Sequence, residues 1–339
     1  MNGILDKRKL ILFGGLGAAG CLVAVLVGEI WFAATDSLGE KAQRAYMDGN
    51  NVAYYFYKCV WTGGWTAILG CGISMALVGG QNYYLTRPVF SQQEIWRSLL
   101  GGFAAGACSG IAAEFFFSVA QGTESMVVLE FVRAIAWAVF GVLVGIGLSF
   151  FVPNLRRSLA AIGGGAGGLA GALAFILFTY TIGDWLGRIV GMTIVGLAIG
   201  LALAIMETAF RSAWLEVAHG PREVITVNLG NQPVCVGSDT RVCAVYAREA
   251  RTIAYRYRVV DGQVICDDMS TEMQYVVVPG TPQQVGNVTI TVRVSDQLRP
   301  GGGGGGGCEA AGDAAPGDQA AKRARRCSSS SVLGSSGYS

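Results

Sequence analysis

The sequence predicts a multi-domain protein in which an α-helical transmembrane bundle of about six helices precedes a small all-β domain and a disordered tail. Charged residues make up 14% of the chain and its mean hydropathy is +0.45, whereas soluble proteins carry about 25% charged residues. Charges are scarce up to Phe210 and frequent from Arg211 to Arg299, where short strand-like runs replace long apolar ones. We therefore predict a transmembrane domain over 1–210, a β domain over 211–298 and a tail over 299–339.

The positions of the spans follow from length, because crossing a hydrocarbon core of about 30 Å takes about 20 mostly apolar residues in a helix. Six stretches meet this requirement or approach it. The second is diluted by Thr62, Thr66 and two glycines, so its ends are the least defined. The predicted spans are Leu10–Ala33, Val60–Val78, Leu99–Ala120, Met126–Phe151, Leu159–Ile182 and Trp185–Phe210.

Lysine and arginine residues indicate how these helices are oriented, because short loops rich in these residues stay in the cytoplasm. Basic residues precede the first, third and fifth spans, whereas the loop after the first span balances its basic residues with acidic ones. We therefore predict a multi-pass protein of the bacterial inner membrane with both termini in the cytoplasm. The orienting residues are Lys7, Arg8, Lys9, Arg87, Arg97, Arg156 and Arg157.

Glycines recur every four residues in several spans, which places them on one helix face and lets two backbones approach closely in lipid. This spacing predicts glycine-zipper packing of the bundle. A GxGxxG pattern at Gly15–Gly20 also fits a dinucleotide-binding loop, but it lies inside a predicted span rather than after a strand, so packing is the better interpretation. The packing glycines are Gly102, Gly106 and Gly110 in the third span, and Gly163, Gly167 and Gly171 in the fifth.

The spans also contain an internal repeat, which predicts duplicated helical hairpins. Arg97-Ser98-Leu99 opens the third span and Arg157-Ser158-Leu159 opens the fifth. In the fourth span an arginine precedes two glycines at a spacing that the sixth span repeats, and the first two spans are a candidate for a diverged third copy. The repeated residues are Arg133, Gly141 and Gly145, and Arg188, Gly196 and Gly200.

Ionisable residues inside the spans are the candidates for an intramembrane polar site, because burying them in lipid is costly. Glu114, Glu130 and Arg133 fall at similar depths, while Glu29 lies close enough to the end of its span to reach water. Two interpretations remain open: an ion pair of Glu130 and Arg133 with Glu114 beside it, or a site for a polar solute or proton.

Several function classes lack support in the sequence. Within the spans there is no histidine and no acid–base constellation, so we predict no enzymatic activity, no catalytic residues and no cofactor. The nine cysteines are isolated and the chain has one histidine, which argues against a metal site, and we interpret Cys235, Cys243 and Cys266 as reduced core residues. A net charge of +2 without a basic face argues against a nucleic-acid partner.

After Phe210 the sequence reads as short strands separated by turns, as in a small β-sandwich. Gly220-Pro221, Gly230-Asn231, Asp261-Gly262 and Pro279-Gly280 provide turn signals. The predicted strands are Trp214–Ala218, Glu223–Asn228, Val234–Gly237, Ile253–Val260, Val264–Asp267, Tyr275–Val278 and Val288–Val294.

Five motifs follow one another in this region: Gly220-Pro221-Arg222, Leu229-Gly230, Val234-Cys235-Val236-Gly237-Ser238-Asp239, Asp261-Gly262-Gln263-Val264-Ile265-Cys266-Asp267 and Val285-Gly286-Asn287-Val288-Thr289-Ile290. Their order resembles a forkhead-associated domain, a β-sandwich that reads phosphothreonine. The resemblance covers about Ala213 to Val294 and implies that fold for the β domain.

The chain departs from the family at the positions that read the ligand. Ser238 stands where the resemblance implies a phosphate-binding arginine, Ala254–Tyr257 stands at the family's serine and histidine, and Thr271–Gln274 at its asparagine loop. A phosphate needs charge-assisted donors, which a neutral hydroxyl does not supply. Recognition of phosphothreonine then requires other arginines to converge, and a solvated basic face is the competing interpretation. The candidate binding residues are Ser238, Asp239, Arg256 and Thr271, and the alternative arginines are Arg248, Arg251, Arg256 and Arg258.

The tail combines a glycine run, an acidic alanine-rich patch, the basic cluster Lys322–Arg326 and a serine-rich end, which predicts disorder. Anionic membrane lipid is a candidate partner of the basic cluster.

The sequence is compatible with two functions. One is a membrane-anchored scaffold or sensor whose forkhead-associated-like domain binds a cytoplasmic protein, phosphorylated or not. The other is a small-solute or ion transporter that the β domain regulates. The sequence leaves an oligomeric state open.

Overall fold

The computed structural model describes residues 7–87, 90–120, 125–152, 154–220, 223–240 and 242–295, without the side chains of Ile182 and Asp184. The predicted tail lies outside these residues. The described part contains seven α-helices, of which all but α2 are long and apolar enough to cross a membrane, and this confirms six helices of spanning length. They are α1 (Lys7–Ala34), α2 (Asp36–Met47), α3 (Asn51–Tyr84), α4 (Gln92–Val119), α5 (Met126–Leu148), α6 (Arg157–Ile182) and α7 (Asp184–Ala209).

Helices α2 and α3 differ from the prediction. Helix α2 was not predicted, because its 12 residues are largely polar and only Ala42 and Ala45 are buried. Helix α3 begins at Asn51, well before the predicted start at Val60, because the Asn50 side chain caps it by accepting a hydrogen bond of 3.1 Å from the Ala53 N–H.

Helix α4 also begins earlier than the predicted span, so Arg97 does not open it. Ser91 and Glu94 form a capping box, in which the Glu94 N–H donates to the Ser91 hydroxyl at 3.3 Å and the Ser91 N–H donates to the Glu94 carboxylate at 3.0 Å. Arg157, by contrast, is the first residue of α6. The two Arg-Ser-Leu motifs therefore lie at different heights in their helices.

The six long helices form a closed ring. Helix α1 packs against α3 and α7, and α3, α4, α5, α6 and α7 pack in that order around the ring. Buried apolar side chains form one hydrophobic cluster inside the ring. We call the end that carries Lys7 and Ala209 the proximal end, because the β domain packs there, and the end near Ala34 and Met126 the distal end. The cluster includes Phe13, Leu69, Ile73, Leu77, Phe140, Val144, Val195, Ile199 and Leu203.

The β domain consists of two sheets that share one hydrophobic core. The four-stranded sheet has the order β2-β1-β9-β8 and the five-stranded sheet the order β4-β3-β5-β6-β7. Inward residues such as Leu215, Ile290 and Tyr257 are almost completely buried. The strands are β1 (Ala213–Gly220), β2 (Glu223–Leu229), β3 (Val234–Gly237), β4 (Val245–Tyr246), β5 (Tyr255–Val260), β6 (Gln263–Asp268), β7 (Met273–Val276), β8 (Pro282–Val285) and β9 (Val288–Val294).

The structure has two strands that the sequence did not predict. Strand β4 has only two residues and pairs in parallel with β3, so it carries no alternation to detect. Strand β8 begins at Pro282, a residue type that argues against a strand except at an edge, and β8 is indeed the edge of its sheet.

Candidate functional site

The bundle and the β domain belong to one compact unit, and a buried ion pair lies at their junction. The Lys9 ammonium donates a short hydrogen bond to the Glu207 carboxylate, which joins the start of α1 to the end of α7. Their side chains are 2% and 4% exposed. The Asn228 amide from the β domain donates to the Glu207 backbone carbonyl at 3.1 Å. The sequence predicts Lys9 only as an orienting charge.

Helix α3 contributes the second element of the junction. The Tyr84 ring at its end is fully buried with the β-domain core, together with Leu85. The Thr226 N–H on β2 donates a hydrogen bond of 2.9 Å to the Tyr84 hydroxyl. The Lys9 ammonium lies 4.9 Å from the centre of the Tyr84 ring, so the ion pair and the aromatic contact form a single buried cluster.

Two loops complete the attachment. The Asn154 side chain donates to the carbonyls of Asn228 and Gln232, both at 3.2 Å, and accepts from the Gln232 N–H at the same distance. The Arg87 guanidinium donates to the Thr240 carbonyl at 2.9 Å. Contacts from separate helices and loops therefore fix the β domain on the proximal end of the bundle.

The predicted glycines lie where helices of the ring cross. A Cβ on Gly102 would lie 2.8 Å from Cys71 Cα, and one on Gly106 would collide with the Thr66 carbonyl, so α3 and α4 touch through backbone. Comparable contacts join α5 to α6 and α7 to α1. Gly110 also faces α3, whereas Gly163, Gly167 and Gly171 all face α7.

Three of these crossings are equivalent. Gly70 of α3 lies against Gly102 of α4, as Gly141 of α5 lies against Gly164 of α6 and Gly196 of α7 against Gly17 of α1. The bundle is therefore a ring of three hairpins, in which each second helix contacts the first helix of the next hairpin. Helices α1 and α3 take the place of a hairpin in this ring, as α4 and α5 do and as α6 and α7 do.

The same symmetry relates the polar residues of the distal half. Thr62, Arg133 and Arg188 each precede the crossing glycine of their helix by the same number of residues. Equivalent positions on the neighbouring helices hold Glu114 and Glu29, and the third equivalent position holds an apolar residue, Ile176. The repeat thus places one polar residue from each hairpin at a common level.

The contacts at that level differ between hairpins. Arg133 donates to both oxygens of Glu130 at 2.8 Å, and Arg188 donates to Glu29 at 3.0 Å. The Glu114 carboxylate instead accepts a short hydrogen bond from the Thr62 hydroxyl. Of the three residues predicted to form the polar site, Glu130 and Arg133 therefore contact each other, whereas Glu114 contacts Thr62.

Thr62, Glu29 and Arg188 are polar residues at this level that the predicted site did not contain. Glu29 was set aside because it lies near the end of its span, and Arg188 was considered only as part of the repeat. Arg188 precedes Gly196 as Arg133 precedes Gly141, and this spacing is visible in the sequence. Glu29 follows Gly17 as Glu114 follows Gly102, which becomes visible once the pairing of the helices is known.

A cavity of about 270 Å³ lies between these groups. Its walls are mainly apolar and rich in aromatic rings, and its polar lining residues are Thr62, Thr66, Ser109, Arg133 and Arg188. Phe140 lies at the cavity and belongs to the packed cluster that fills the ring. The arrangement can hold a small apolar group beside two guanidinium groups that are already paired with carboxylates. The aromatic lining residues are Phe32, Trp65, Phe117, Trp137, Phe140 and Phe175.

In the β domain, Ser238 and Asp239 follow β3 directly, and their N–H groups donate to the carbonyls of Arg251 and Thr252 at 3.0 and 3.2 Å. Thr271 lies in the turn between β6 and β7, at the same end of the five-stranded sheet. Arg256 lies within β5, opposite Asp267 of β6, on the face away from the core. Three of the four candidate binding residues therefore cluster at one sheet end, and Arg256 lies on a strand.

The alternative arginines are distributed over two places. Arg258 shares the outer face of β5 with Arg256 and lies 3.7 Å from the Asp267 carboxylate. Arg248 and Arg251 lie in the segment between β4 and β5, where the Arg248 N–H donates to the Asn287 side chain at 2.8 Å. The outer-face pair therefore lies beside a carboxylate, which competes with a phosphate for these guanidinium groups.

Two thiols of the β domain, those of Cys243 and Cys266, are poor nucleophiles. Cys243 and Cys266 are buried, and Cys235 is half-buried. Burial raises the pKa of the Cys243 thiol to about 11 and raises the pKa of the Cys266 thiol as well. Both therefore stay protonated at neutral pH, as expected of core residues.

No protein-family model matches the chain, and no curated protein or solved structure matches it either.

Proposed function

We propose that the protein is a membrane-anchored scaffold of the bacterial inner membrane that holds a forkhead-associated-like domain on the cytoplasmic side and captures an extended segment of a protein partner along strand β7. The proximal end of the bundle is then cytoplasmic, as are both termini. The observation that carries the proposal is β7, an edge strand whose four residues are all exposed.

Strand β7 has the surface of a docking strand. Met273 and Val276 are 66% and 55% exposed, and Val278 just beyond the strand is 68% exposed. Proteins usually protect a sheet edge with charges or a covering segment, because an apolar edge pairs readily with another chain. The residues of β7 carry no charge, which fits an edge that pairs with a partner strand.

The backbone of β7 supplies the required donors and acceptors. Val276 lies opposite Ile265, and the Val277 N–H donates to the Val264 carbonyl at 2.8 Å. Val277 and Val264 therefore form a hydrogen-bonded pair, and in an antiparallel ladder the next pair, Val276 and Ile265, has no direct hydrogen bonds. The N–H and C=O of Val276 thus point away from β6. Gln274, opposite Asp267, has the same orientation.

Replacing Val276 with proline is expected to abolish capture of the partner by the full-length protein in nanodiscs. Proline removes the outward N–H, whereas the ladder with β6 does not use that group. The measurement is affinity capture from solubilised native membranes and cytosol, followed by mass spectrometry. Val276→Thr, which keeps the N–H and the branched shape, should capture the same proteins as the wild type. Equal capture by the proline variant would exclude β7 as the docking strand.

Phosphatase treatment of the same extract is expected to leave capture by the wild type unchanged, because backbone pairing at β7 does not require a phosphate. Loss of capture after treatment would instead assign partner binding to the sheet end that carries Ser238 and Thr271, as in phosphothreonine-reading members of the family that the domain resembles. The two outcomes therefore distinguish the edge of the sheet from its loops.

The distal cavity favours a second candidate, a transporter of a small solute or ion, because polar residues inside a span often line a pathway. Two features weigh against it. The arginines at the cavity are paired with carboxylates. The ring toward the proximal end is filled by side chains that are at most 3% exposed, including Phe13, Leu69 and Leu203.

Proteoliposomes containing the protein are therefore expected to show no proton flux above that of empty vesicles when a pH gradient is applied and followed with an enclosed pH-sensitive dye. The paired substitution Glu130→Gln with Arg133→Gln, and Glu114→Gln separately, should leave partner capture intact. A flux in the wild type that these substitutions abolish would establish the transporter in place of the scaffold.

A further inference from the structure

A large cleft separates the proximal loops of the bundle from the β domain. Its volume is about 1160 Å³. Arginines from three distant parts of the chain line it: Arg87 after α3, Arg156 and Arg157 at the start of α6, and Arg211 between α7 and β1. The rule that basic residues mark cytoplasmic loops explains their side of the membrane, but it does not explain why they converge on one cleft.

The cleft carries a strong excess of positive charge. Among the described residues that line it, Glu207 is the one acidic group, and its carboxylate is already bound by Lys9. Within the described part of the chain, Arg156 and Arg157 form no ion pair with a carboxylate. An anion in the cleft would therefore meet several cations without competition from a free acidic side chain.

Aromatic rings and a carbonyl position the arginines. The Arg157 guanidinium lies 4.8 Å from the centre of the Phe150 ring, and that of Arg211 lies 4.0 Å from the centre of the Trp214 ring. Arg87 is held by the Thr240 carbonyl. A guanidinium that stacks on a ring keeps N–H groups at its edge for an oxygen ligand.

The start of α6 adds to this field. Arg156 is the residue that precedes the helix, and its side chain does not cap the first turn. The positive end of the helix dipole therefore lies beside the cleft, near Arg157 and Leu159, which line it.

The position of the cleft indicates the source of the anion. It lies where α5 and α7 end and α6 begins, at the proximal limit of the spanning helices. Phe150 and Phe210 line it and are 65% and 57% exposed, which suits side chains that contact acyl chains at the membrane boundary. Basic pockets at this level of a bundle suit lipid headgroups. We propose that the cleft binds the phosphate of an anionic phospholipid, which bridges the bundle and the β domain.

The test uses the full-length protein in nanodiscs that contain phosphatidylcholine and a minor fraction of phosphatidylglycerol, followed by native mass spectrometry of the lipids that stay bound. The wild type is expected to retain phosphatidylglycerol in preference to phosphatidylcholine. Equal retention of the two lipids by the wild type overturns the proposal without any variant.

Substitution of Arg156 and Arg157 by glutamine is expected to weaken phosphatidylglycerol binding about 30-fold, at about 1 kcal/mol for each charge removed. The matched control is Lys41→Gln with Arg44→Gln, which removes two charges from α2 at the distal end and should retain the lipid. Unchanged binding by the cleft variant overturns the proposal. Displacement of the lipid by millimolar inorganic phosphate also overturns it, because the site would then belong to a soluble anion.

Discussion

Replacing Lys9 with methionine is expected to destabilise the protein by about 3–5 kcal/mol, because the change leaves the Glu207 carboxylate charged and unpaired in a site that excludes water. A loss of this size lowers the melting temperature by roughly 10 °C in a protein of this class. The measurement is thermal unfolding of the purified protein in detergent, followed by intrinsic fluorescence, with limited proteolysis to show whether the β domain is released first.

Two control variants test whether the loss of stability comes from the buried ion pair or from the removal of any charge. Methionine at both Lys9 and Glu207 should recover most of the lost stability, since well-packed apolar residues can replace a buried ion pair at little cost. Arg8→Met removes the neighbouring pair with Glu223, whose side chains are 45% and 44% exposed, and should change stability by about 1 kcal/mol at most. A Lys9 variant as stable as the Arg8 variant would show that the junction does not depend on the ion pair.

The junction illustrates what the sequence could not provide. Lys9 stands in a basic run before an apolar span, and that local pattern predicts an orienting charge in water. Its burial depends on Glu207, which is 198 residues away in the chain, and on the Tyr84 ring. Neither contact has a local signature, because each requires the ring of helices to close before the residues meet.

The helices themselves were predictable where hydrophobicity decides. Long apolar runs are found as α1, α3, α4, α5, α6 and α7. The boundaries were less predictable where caps decide, as with Asn50 before α3 and Ser91 before α4. Short or proline-led strands were missed for the complementary reason, since pairing partners define β4 and β8 more than their own residues do.

The distal polar level was predictable in part. The repeated spacing of Arg133 and Arg188 from their glycines is visible in the sequence, and so is the i,i+3 relation of Glu130 and Arg133. The third hairpin could not be aligned in the same way, because Thr62 takes the place of arginine. Only the contact of Gly70 with Gly102 shows that this threonine is the equivalent residue.

The helix crossings at the glycines give the second large expected effect on stability. Alanine at Gly102 is expected to destabilise the bundle by about 1–3 kcal/mol, because its Cβ would lie 2.8 Å from Cys71 Cα and α3 would have to move away from α4. Alanine at Gly101 is the matched control in the same turn of the same helix, where an added Cβ meets nothing within 4 Å. Its higher helix propensity should make that variant as stable as the wild type or more stable by up to about 1 kcal/mol.

Thermal unfolding of the two variants in the same detergent measures the difference directly. Both substitutions add one methyl group to α4, so helix propensity and lipid solvation largely cancel in the comparison and the contact with α3 remains. Gly164→Ala should behave like Gly102→Ala, because the equivalent crossing brings it against the Gly141 carbonyl. If the Gly101 and Gly102 variants melted together, backbone contact at the crossings would not hold the ring, and the equivalence that relates Thr62, Arg133 and Arg188 would lose its structural basis.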